Sequence, residues 1–209
     1  MSRKTVERQA RQQFVIDAAR RVFASKGVEN TRMEDIADAS EYTRRTLYAY
    51  FNSRDEICLL VFIEDMVARW AEQQKAIAAA DDGLSKVLAF GKSFYEFARG
   101  NPHSMRLHLY WDLKGVGRSR VSEDTFCSFE KINNELAEGL RDIFQVGVRD
   151  GSIRPDLQVD ISISQYLYSL RSILNRAISA AYSFASFDAD EYVEHYLDLL
   201  SRAIRNPKR

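Results

Sequence analysis

Residues 31–51 carry the pattern of two short helices joined by a tight turn, which constrains the chain more than any other feature. The segment reads T-R-M-E-D-I-A-D-A-S-E-Y-T-R-R-T-L-Y-A-Y-F. Thr31 and Glu34 have the spacing of a capping box, which predicts that the first helix begins there. Thr43 is a natural N-cap for the second helix. A helix–turn–helix of this size can place the start of its second helix in the major groove of DNA.

The second helix of this pattern has two chemically different faces. Arg44 and Arg45 occupy its first two positions, where a guanidinium group can donate two hydrogen bonds to guanine. Leu47 and Phe51 are four residues apart and should pack inward. Tyr48 falls on the outer face, where its hydroxyl can meet a phosphate. An ordinary helical hairpin with a solvated charged face would leave the coincidence of cap, turn and arginine pair unexplained.

This segment and the helix before it resemble the DNA-binding domain of the TetR family of bacterial regulators. The resemblance covers residues 14–57 and includes F-V-I-D-A-A-R-R-V-F-A-S-K-G and T-R-R-T-L-Y-A-Y-F-N-S-R-D-E-I. It implies an all-α fold with a three-helix DNA-binding domain at residues 1–53 and a larger helical ligand-sensing and dimerisation domain at 54–209. It also implies contacts with base edges from Arg44, Arg45 and Ala49. Further DNA contacts, mostly with phosphates, are expected from Arg32, Thr43, Thr46, Tyr48, Tyr50 and Arg54.

The turn departs from the pattern that is usual in this family. The family usually has A-G-V-S, whereas this sequence has S-E-Y-T from Ser40 to Thr43. Glu41 must therefore adopt a backbone conformation that glycine takes more easily, and it brings a negative charge near the DNA. Arg45 also replaces a residue that is frequently small in the family, so the base preference of relatives does not carry over.

The rest of the chain is divided by helix-ending signals. Gly27 should close a first helix in which apolar residues from Phe14 to Phe23 recur with helical period. Further helices are predicted at about residues 54–80, 84–99, 102–113, 122–150, 158–183 and 189–205. Breaks are supplied by Asn101-Pro102 and by the segment Gly151–Pro155. The segment Asp112–Asp124 is the best candidate for a mobile loop.

Charge is balanced over the whole chain but uneven along it. Thirty Lys and Arg side chains offset thirty Asp and Glu side chains, so the formal net charge is zero. Residues 1–26, however, contain seven basic and two acidic side chains. A basic N-terminal part on a neutral protein is what a confined phosphate-binding surface would produce, although basic N-terminal segments also occur without this role.

The cysteine and histidine residues show no spacing typical of metal ligands, so we predict no metal and no cofactor. Cys58 and Cys127 each lie in an apolar stretch, which predicts buried, reduced thiols in a cytosolic protein. The longest apolar run, Ile57–Ile63, has seven residues and cannot span a bilayer. The N-terminus also has no secretory signal. These features predict a cytoplasmic protein that makes no membrane contact and joins the nucleoid when it binds DNA.

Aromatic side chains beyond residue 57 are the candidates for an effector site. Most should pack in the core of a helical domain, but the resemblance implies that some line a cavity for a small molecule. The predicted ligand-binding residues are Trp70, Phe94, Tyr110, Trp111, Phe126 and Tyr166. The sequence leaves open whether the effector is lipid-like, aromatic or a drug-like cation.

The last two predicted helices carry apolar stripes with coiled-coil-like spacing. Two such helices from each subunit could form a four-helix dimer interface, and a two-fold dimer would read a palindromic operator. Alternatively, the stripes face only their own domain core. The predicted interface residues are Leu167, Leu170, Leu174, Ala177, Val193, Tyr196 and Leu200.

Together these features predict a ligand-responsive transcription regulator, and the resemblance favours a repressor that a small molecule releases from its operator. A helical enzyme would need convergent catalytic groups, yet no metal-ligand spacing, nucleophile elbow or phosphate loop occurs in the sequence. A helical scaffold protein without DNA-binding activity would leave the arginine pair and Tyr48 unexplained. We therefore predict that the protein is not an enzyme and that its partners are operator DNA, a small-molecule effector and a second copy of itself.

Overall fold

The computed structural model describes residues 3–178 and 188–208 and shows an all-α fold in those ranges. Its α-helices are α1 (Arg3–Lys26), α2 (Met33–Ala39), α3 (Arg44–Tyr48), α4 (Arg54–Ala78), α5 (Gly83–Gly100), α6 (Pro102–Lys114), α7 (Glu123–Asp150), α8 (Val159–Ile178) and α9 (Ala189–Ile204). A short 3-10 helix, Arg118–Arg120, lies between α6 and α7. The predicted fold class is confirmed.

Local sequence signals set the ends of these helices. Gly27 ends α1 with a φ of 80°, and its amide donates to the carbonyl of Phe23 at 3.0 Å, as expected of a glycine cap. Asp82 caps α5 by accepting a hydrogen bond from the amide of Ser85 at 2.8 Å. The predicted helices match the observed ones to within a few residues at each end. The predicted end of α8, residues 179–183, lies outside the described residues.

The first of two compact units runs to Met66 and includes Arg106–Ile132. It contains α1 to α3, the start of α4, most of α6, the 3-10 helix and the start of α7. Within it α1 packs against α2, and α2 packs against α3. Its buried apolar side chains include Val15, Ala19, Phe23, Ile36, Leu47, Phe51, Ile57 and Leu59. The core of this unit therefore fixes the helix–turn–helix.

The second compact unit comprises Val67–Met105 and the chain from Asn133 onward. Within it α5 packs against α8 and α9, which also pack against each other. Gly139 of α7 allows the Trp70 ring to approach the backbone, because a Cβ atom there would lie 2.4 Å from the ring. Any larger residue at this position would force the ring to move.

Aromatic rings fill the centre of the second unit. The Phe90 ring centroid lies 6.5 Å from that of Trp70, 6.5 Å from that of Phe94 and 5.9 Å from that of Tyr166. The Tyr166 hydroxyl donates to the carbonyl of Val87 at 2.9 Å. This buried ring thus has its polar atom bonded, as a stable core requires.

The predicted functional division at residue 53 stays a prediction. It separates a DNA-binding domain from a sensor domain, whereas the compact units reflect packing. The helices α4, α6 and α7 each contribute residues to both units. Packing therefore does not assign either function to a unit by itself.

Phe14 and Cys127 are exposed. Phe14 is 49% exposed, and its ring meets that of Tyr42 edge-on at 6.3 Å between centroids. Cys127 was expected to be buried, and this prediction is wrong, because the thiol lies on an outer face of α7 next to the Glu123 carboxylate. Cys58 is fully buried as predicted, and burial raises the pKa of its thiol to about 12. An apolar neighbourhood in sequence does not show whether another helix covers that face.

The predicted dimer-interface residues divide by exposure. Leu170 and Leu174 are completely buried and Val193 is 1% exposed, so these three side chains pack in the chain's own core and cannot touch a partner. This is a correction to the predicted interface. Four others keep part of their surface exposed: Leu167, Ala177, Tyr196 and Leu200. The largest exposed apolar side chains on α8 and α9 are Ile161, Tyr168 and Leu199.

The described residues contain neither a membrane-spanning helix nor a metal site. No helix in residues 3–178 or 188–208 is long and apolar enough to cross a bilayer. In the same ranges, no group of three His, Cys, Asp or Glu side chains could hold a metal ion. His108 is buried and packs edge-on against Phe62 at 4.6 Å between ring centroids, so it has a packing role.

Candidate nucleic-acid interface

The helix α2 begins one residue later than the predicted cap. Its N-cap is Arg32, whose amide donates to the Asp35 carboxylate at 2.7 Å. Thr31 is buried, and its hydroxyl donates to the carbonyl of Gly27 at 2.7 Å. The predicted Thr31–Glu34 capping box is therefore wrong. The carbonyl of Gly27, at the end of α1, accepts this hydrogen bond and holds the threonine side chain in place.

The turn between α2 and α3 contains the backbone conformation predicted for Glu41. Its φ of 56° lies in the left-handed region, and no other non-glycine residue in the described ranges has a positive φ. Such a conformation costs an ordinary residue about 1–2 kcal/mol. The turn is nevertheless well bonded, because the Ser40 hydroxyl donates to the carbonyl of Ile36 at 2.7 Å. The amide of Tyr42 donates to the carbonyl of Ala37 at 3.0 Å.

The start and the inner face of α3 are fixed. The Thr43 hydroxyl accepts a hydrogen bond from the amide of Thr46 at 3.1 Å, which confirms the predicted N-cap. The two threonine hydroxyls lie 2.9 Å apart. Leu47 is completely buried and Phe51 is 3% exposed, as predicted. The helix is therefore held rigidly enough to present its outer face in one orientation.

Arg44 and Arg45 are both exposed at the first two positions of α3. Arg44 pairs with Glu34 of α2, with 2.6 Å between Nη1 and Oε1, and both side chains are about half exposed. An exposed pair contributes about 0–1 kcal/mol, so a base contact can replace it at small cost. This pair was not predicted from the sequence, where the spacing assigned Glu34 to the cap of α2.

The remaining predicted DNA contacts surround α3 within the first unit. Tyr48 is 51% exposed, and Arg32, Thr43 and Ala49 are also exposed, whereas Thr46 and Tyr50 are half-buried. The guanidinium of Arg8, on α1, lies 5.8 Å from the centroid of the Tyr50 ring. The roles of these residues in DNA binding stay predictions. The basic composition of residues 1–26 was the signal that could have pointed to Arg8.

Arg54, at the start of α4, uses its guanidinium inside the protein. Nη1 donates to the carbonyls of Val28 and Thr31 at 2.6 and 3.1 Å. Nη2 donates to the Asp55 carboxylate at 2.6 Å and to the Tyr110 hydroxyl at 2.8 Å. The predicted phosphate contact of Arg54 stays a prediction, and it would require the guanidinium to leave some of these acceptors. These bonds tie the segment before α2 to α4 and α6.

Asp55 is the acceptor at the centre of a basic cluster in the first unit. Its carboxylate receives Lys114 at 2.8 Å and Arg120 at 3.2 Å, in addition to Arg54. Burial by itself would raise the pKa of Asp55, but hydrogen bonds from Lys114, Arg54 and Arg120 hold that pKa well below its usual range. The carboxylate is therefore ionised at neutral pH and joins α4, α6 and the 3-10 helix.

The neighbouring Glu56 makes a second set of bonds from the same turn of α4. Its carboxylate accepts from the amide of Ser122 and from the Thr125 hydroxyl, both at 2.9 Å, and from the amide of Asn52. Burial would raise the pKa of Glu56, but the bonds from Ser122, Asn52 and Thr125 lower it. Asn52 directly follows the helix–turn–helix. Glu56 thus connects its end to the beginning of α7.

The aromatic residues predicted to bind an effector are distributed over both units. In the first unit are Tyr110, Trp111 and Phe126. Trp111 borders a cavity of about 120 Å³ that is also lined by Lys114, Ser119 and Val121. In the second unit are Trp70, Phe94 and Tyr166, which surround Phe90. The role of all six in ligand binding stays a prediction.

Two buried polar side chains on α4 accompany the aromatic cluster of the second unit. Arg69 is 4% exposed, and its guanidinium lies 4.1 Å from the centroid of the Phe94 ring. Gln73 is completely buried, and its amide group donates to the carbonyl of Phe90 at 3.4 Å. Within the described residues, nothing donates a hydrogen bond to its Oε1, whereas buried polar atoms are usually bonded. Neither residue was predicted from the sequence, because only aromatic side chains were candidates for this site.

The helix–turn–helix with its flanking helices corresponds to a known family. Residues 15–61, from α1 to the first part of α4, match the sequence profile of bacterial regulatory proteins of the tetR family. The chain belongs to the TetR family. It is a helix–turn–helix transcriptional regulator, as the resemblance of its sequence had implied.

Relatives of this TetR-family chain extend over nearly its full length. The HTH-type transcriptional repressor KstR2 of Rhodococcus jostii (strain RHA1) is 27% identical over 207 residues, which cover 97% of this chain and 95% of KstR2. FadR from Bacillus subtilis, solved in complex with stearoyl-CoA, has a TM-score of 0.72 at 18% identity and covers 92% of this chain and 99% of its own. AibR, solved with isovaleryl coenzyme A and operator DNA, has a TM-score of 0.67 at 14% identity, with coverages of 90% and 97%. The two structures share the fold of this chain.

Proposed function

We propose that this TetR-family regulator is a repressor that binds a palindromic operator as a homodimer and leaves it when a small molecule binds. The observation that carries DNA binding is the exposed pair Arg44 and Arg45 at the capped start of α3. Support for repression comes from KstR2, a transcriptional repressor that is similar over nearly the whole chain.

Base recognition is assigned to the first turn of α3. An arginine that donates two hydrogen bonds to O6 and N7 of guanine contributes about 1–3 kcal/mol of discrimination. We assign base contacts to Arg44, Arg45 and the adjacent Ala49. We assign phosphate contacts, which position the helix without reading sequence, to Arg32, Thr43, Thr46, Tyr48 and Tyr50. Arg54 is a weaker candidate for a phosphate contact, since its donors are engaged within the protein.

Binding should be tested on a palindromic fragment from the gene's own promoter region and on a scrambled fragment of equal length. The protein should bind the palindrome far more tightly than the scrambled DNA in fluorescence anisotropy. The double variant Arg44→Ala/Arg45→Ala should lose most of this preference. A matched control is Arg149→Ala, which also removes an exposed arginine but on α7. Equal affinity of the wild type for both fragments would refute sequence-specific regulation.

We assign the dimer interface to the outer faces of α8 and α9. Ile161, Tyr168 and Leu199 are 54%, 63% and 53% exposed, and exposed apolar groups on adjacent helices are typical of a protein interface. The partly exposed residues Leu167, Ala177, Tyr196 and Leu200 would complete it. A dimer places two recognition helices on half-sites about 34–36 Å apart, which a monomer cannot do.

Light scattering tests this interface. The variant Tyr168→Asp/Leu199→Asp should be monomeric and folded, because both side chains are exposed in the single chain and a dimer would bury the new charges. The control is Leu113→Asp, which places a charge on α6 at a leucine that is 80% exposed. It should remain dimeric. A dimer that persists in the double variant would place the interface elsewhere.

We propose that the effector has an apolar body and a polar head, and an acyl-coenzyme A thioester is the class best supported. FadR and AibR, which share the fold, were solved with stearoyl-CoA and isovaleryl coenzyme A. In the second unit Trp70, Phe94 and Tyr166 offer apolar walls. Arg69 and the Gln73 side chain would supply the few polar groups that such sites use for orientation. Tyr110, Trp111 and Phe126 stay predicted ligand contacts.

The effector test uses acyl-CoA thioesters of increasing chain length, with free coenzyme A and free fatty acids as controls. An active thioester should lower operator affinity, and operator DNA must lower thioester affinity by the same factor, since coupling between two sites is reciprocal. Typical couplings are about 1–3 kcal/mol. Thioester binding that does not change in the presence of saturating operator would refute release by this ligand.

We further propose that the chain acts by binding alone, without catalysis, in the cytoplasm where operator DNA is accessible. Its relatives are named as transcriptional regulators. The competing hypothesis is a helical scaffold protein, which would bind palindromic and scrambled DNA equally weakly. The anisotropy experiment above distinguishes the two.

A further inference from the structure

The N-terminal half of α1 is a basic, exposed segment outside the family match. Helix α1 begins at Arg3, whereas the TetR-family match begins at residue 15. Residues 3–14 contain four basic side chains and one acidic side chain. Apart from Gln12, which is half-buried, all of them are exposed. This half of the helix therefore contributes little to the core, and its charge is available to a partner.

Helical spacing sorts these charges into two groups. Arg3 pairs with the single acidic residue, Glu7, at 3.1 Å in an i,i+4 arrangement, so these two charges largely cancel. Lys4, Arg8 and Arg11 follow one another at i, i+4 and i+7, which places them on one face of the helix. We refer to these three residues as the basic stripe. It extends over about 10 Å of helix, at 1.5 Å per residue.

The basic stripe adjoins the recognition helix α3 within the first unit. The Arg8 guanidinium lies 5.8 Å from the centroid of the Tyr50 ring, two residues after the end of α3. Arg11 makes a hydrogen bond with Tyr50, which raises the pKa of its guanidinium. A groove of about 750 Å³ next to these contacts is lined by Arg8, Gln9, Gln12, Tyr48 and Tyr50, and also by residues of α4 and α7 that include Glu64 and Asp124. Its arginine and glutamine side chains are those of α1.

We propose that Lys4, Arg8 and Arg11 form a second DNA-binding surface, which holds the sugar–phosphate backbone next to the half-site read by α3. This inference rests on the proposed function. The Tyr50 ring positions the inner end of the stripe, so less side-chain entropy is lost when arginine meets a phosphate. The glutamines of the adjoining groove offer amide donors to the same backbone. A stripe of about 10 Å matches the axial length of about three nucleotides, at 3.4 Å each.

The stripe should act through charge and not through base sequence. Each phosphate contact lowers the slope of log K against log salt by about 0.9. Three contacts from each subunit of a dimer would therefore contribute about 5 to the magnitude of the slope. The contribution should be the same for palindromic and scrambled DNA, whereas that of Arg44 and Arg45 should depend on the bases.

The test compares two variants that remove equal charge from exposed positions. The stripe variant is Lys4→Gln/Arg8→Gln/Arg11→Gln. The control is Lys75→Gln/Lys92→Gln/Arg149→Gln, which removes three exposed cations from α4, α5 and α7. Both variants should keep the helicity and melting temperature of the wild type. Operator affinity is then measured from 50 to 300 mM KCl, and hydroxyl-radical footprints record the protected sugars.

In the stripe variant, the magnitude of the slope of log K against log salt should fall by about 3–5. Sugars flanking each half-site should lose their protection, while the preference for the palindrome persists. The control should keep at least most of its slope and the full footprint. Equal slopes and footprints for the two variants would overturn the inference and leave the proposed function intact. If the wild type itself does not prefer the palindrome, the proposed function fails first.

Discussion

Arginines at the starts of two successive helices have opposite environments. Arg44 and Arg45 begin α3 and are exposed, and the one partner that the structure gives Arg44 is another exposed side chain, Glu34. Arg54 begins α4 with a side chain that is 21% exposed. Its donors bind two backbone carbonyls, one carboxylate and one tyrosine hydroxyl. The same residue type is thus exposed to solvent at one helix start and bonded within the protein at the other.

The difference shows that a position at a helix start does not by itself assign a cation to DNA. What decides is whether acceptors of the protein lie within reach. The loop before α2 leaves two carbonyls open to Arg54, and Asp55 supplies a carboxylate. At the start of α3, Arg44 pairs with the exposed carboxylate of Glu34. DNA recognition by α3 and the stability of the first unit should therefore depend on different arginines, and mutations should distinguish the two.

Removing the Asp55 carboxylate should have the largest effect, which is a loss of stability of the first unit. The variant Asp55→Asn leaves Arg54, Lys114 and Arg120 without their shared carboxylate. We expect the free energy of unfolding to fall by about 2–3 kcal/mol, less than for a fully buried pair because Lys114 and Arg120 are partly exposed. The melting temperature should drop by roughly 5–10 °C. Calorimetry measures it, with the exposed Asp142→Asn as control. Equal melting temperatures would show that the cluster adds no net stability.

Comparing Arg45→Ala with Arg54→Ala should distinguish an effect on operator binding from an effect on stability. The first should weaken operator binding by about 1–3 kcal/mol and leave melting unchanged. The second should lower the melting temperature while the salt dependence of DNA binding stays that of the wild type. If instead the magnitude of the salt-dependence slope falls by about 0.9 per subunit, Arg54 also holds a phosphate, as predicted from the sequence.

Lowering the pH should destabilise the first unit before it weakens DNA binding. The pKa values of Asp55 and Glu56 are lowered in the folded state, so their stabilisation is fully present above the unfolded-state values near 4 and is lost as pH falls toward the folded-state values. Urea unfolding at pH 6, 4 and 3 should show the advantage of wild type over Asp55→Asn shrinking by about 1 kcal/mol or more. A constant advantage over this range would contradict the assignment.

Removing the Glu34 carboxylate should have the smallest effect, which is a rise in operator affinity. Glu34→Gln releases Arg44 and removes a negative charge near DNA. We expect operator affinity to rise by about 0.5 kcal/mol, roughly twofold, as is typical of an exposed pair. Anisotropy at low salt measures it. Glu72→Gln is the matched control, because it breaks another exposed pair far along α4. A loss of affinity would mean that Glu34 positions Arg44 for DNA.

Features that depend on a few neighbouring residues could be predicted from the sequence. Thr43 caps α3 because its hydroxyl needs only the amide of Thr46. Gly27 ends α1 and Glu41 takes the left-handed conformation because the chain must turn there. The cap of α2 was predicted wrongly, because the Thr31 hydroxyl donates to the carbonyl of Gly27, whereas the spacing rule considers only a bond from the amide of Glu34.

Features that depend on distant residues could not be predicted. The partners of Arg54 and Asp55 lie on other helices, up to 65 positions away at Arg120. No local pattern reveals which helix covers an apolar face, so Leu170 and Val193 were predicted as interface residues although they are core residues. The exposure of Cys127 was missed for the same reason.

The contrast between the two cysteines makes the natural chain ready for site-specific labelling. Cys58 is fully buried with a pKa of about 12, so its thiol stays protonated and protected. Cys127 is exposed, so its thiol can react with a maleimide dye. Desolvation and the Glu123 carboxylate raise the pKa of this thiol, so labelling should require a mildly alkaline pH. The dye would sit two residues from Thr125, which bonds Glu56. Fluorescence could then follow the α4–α7 junction in real time, without an engineered cysteine.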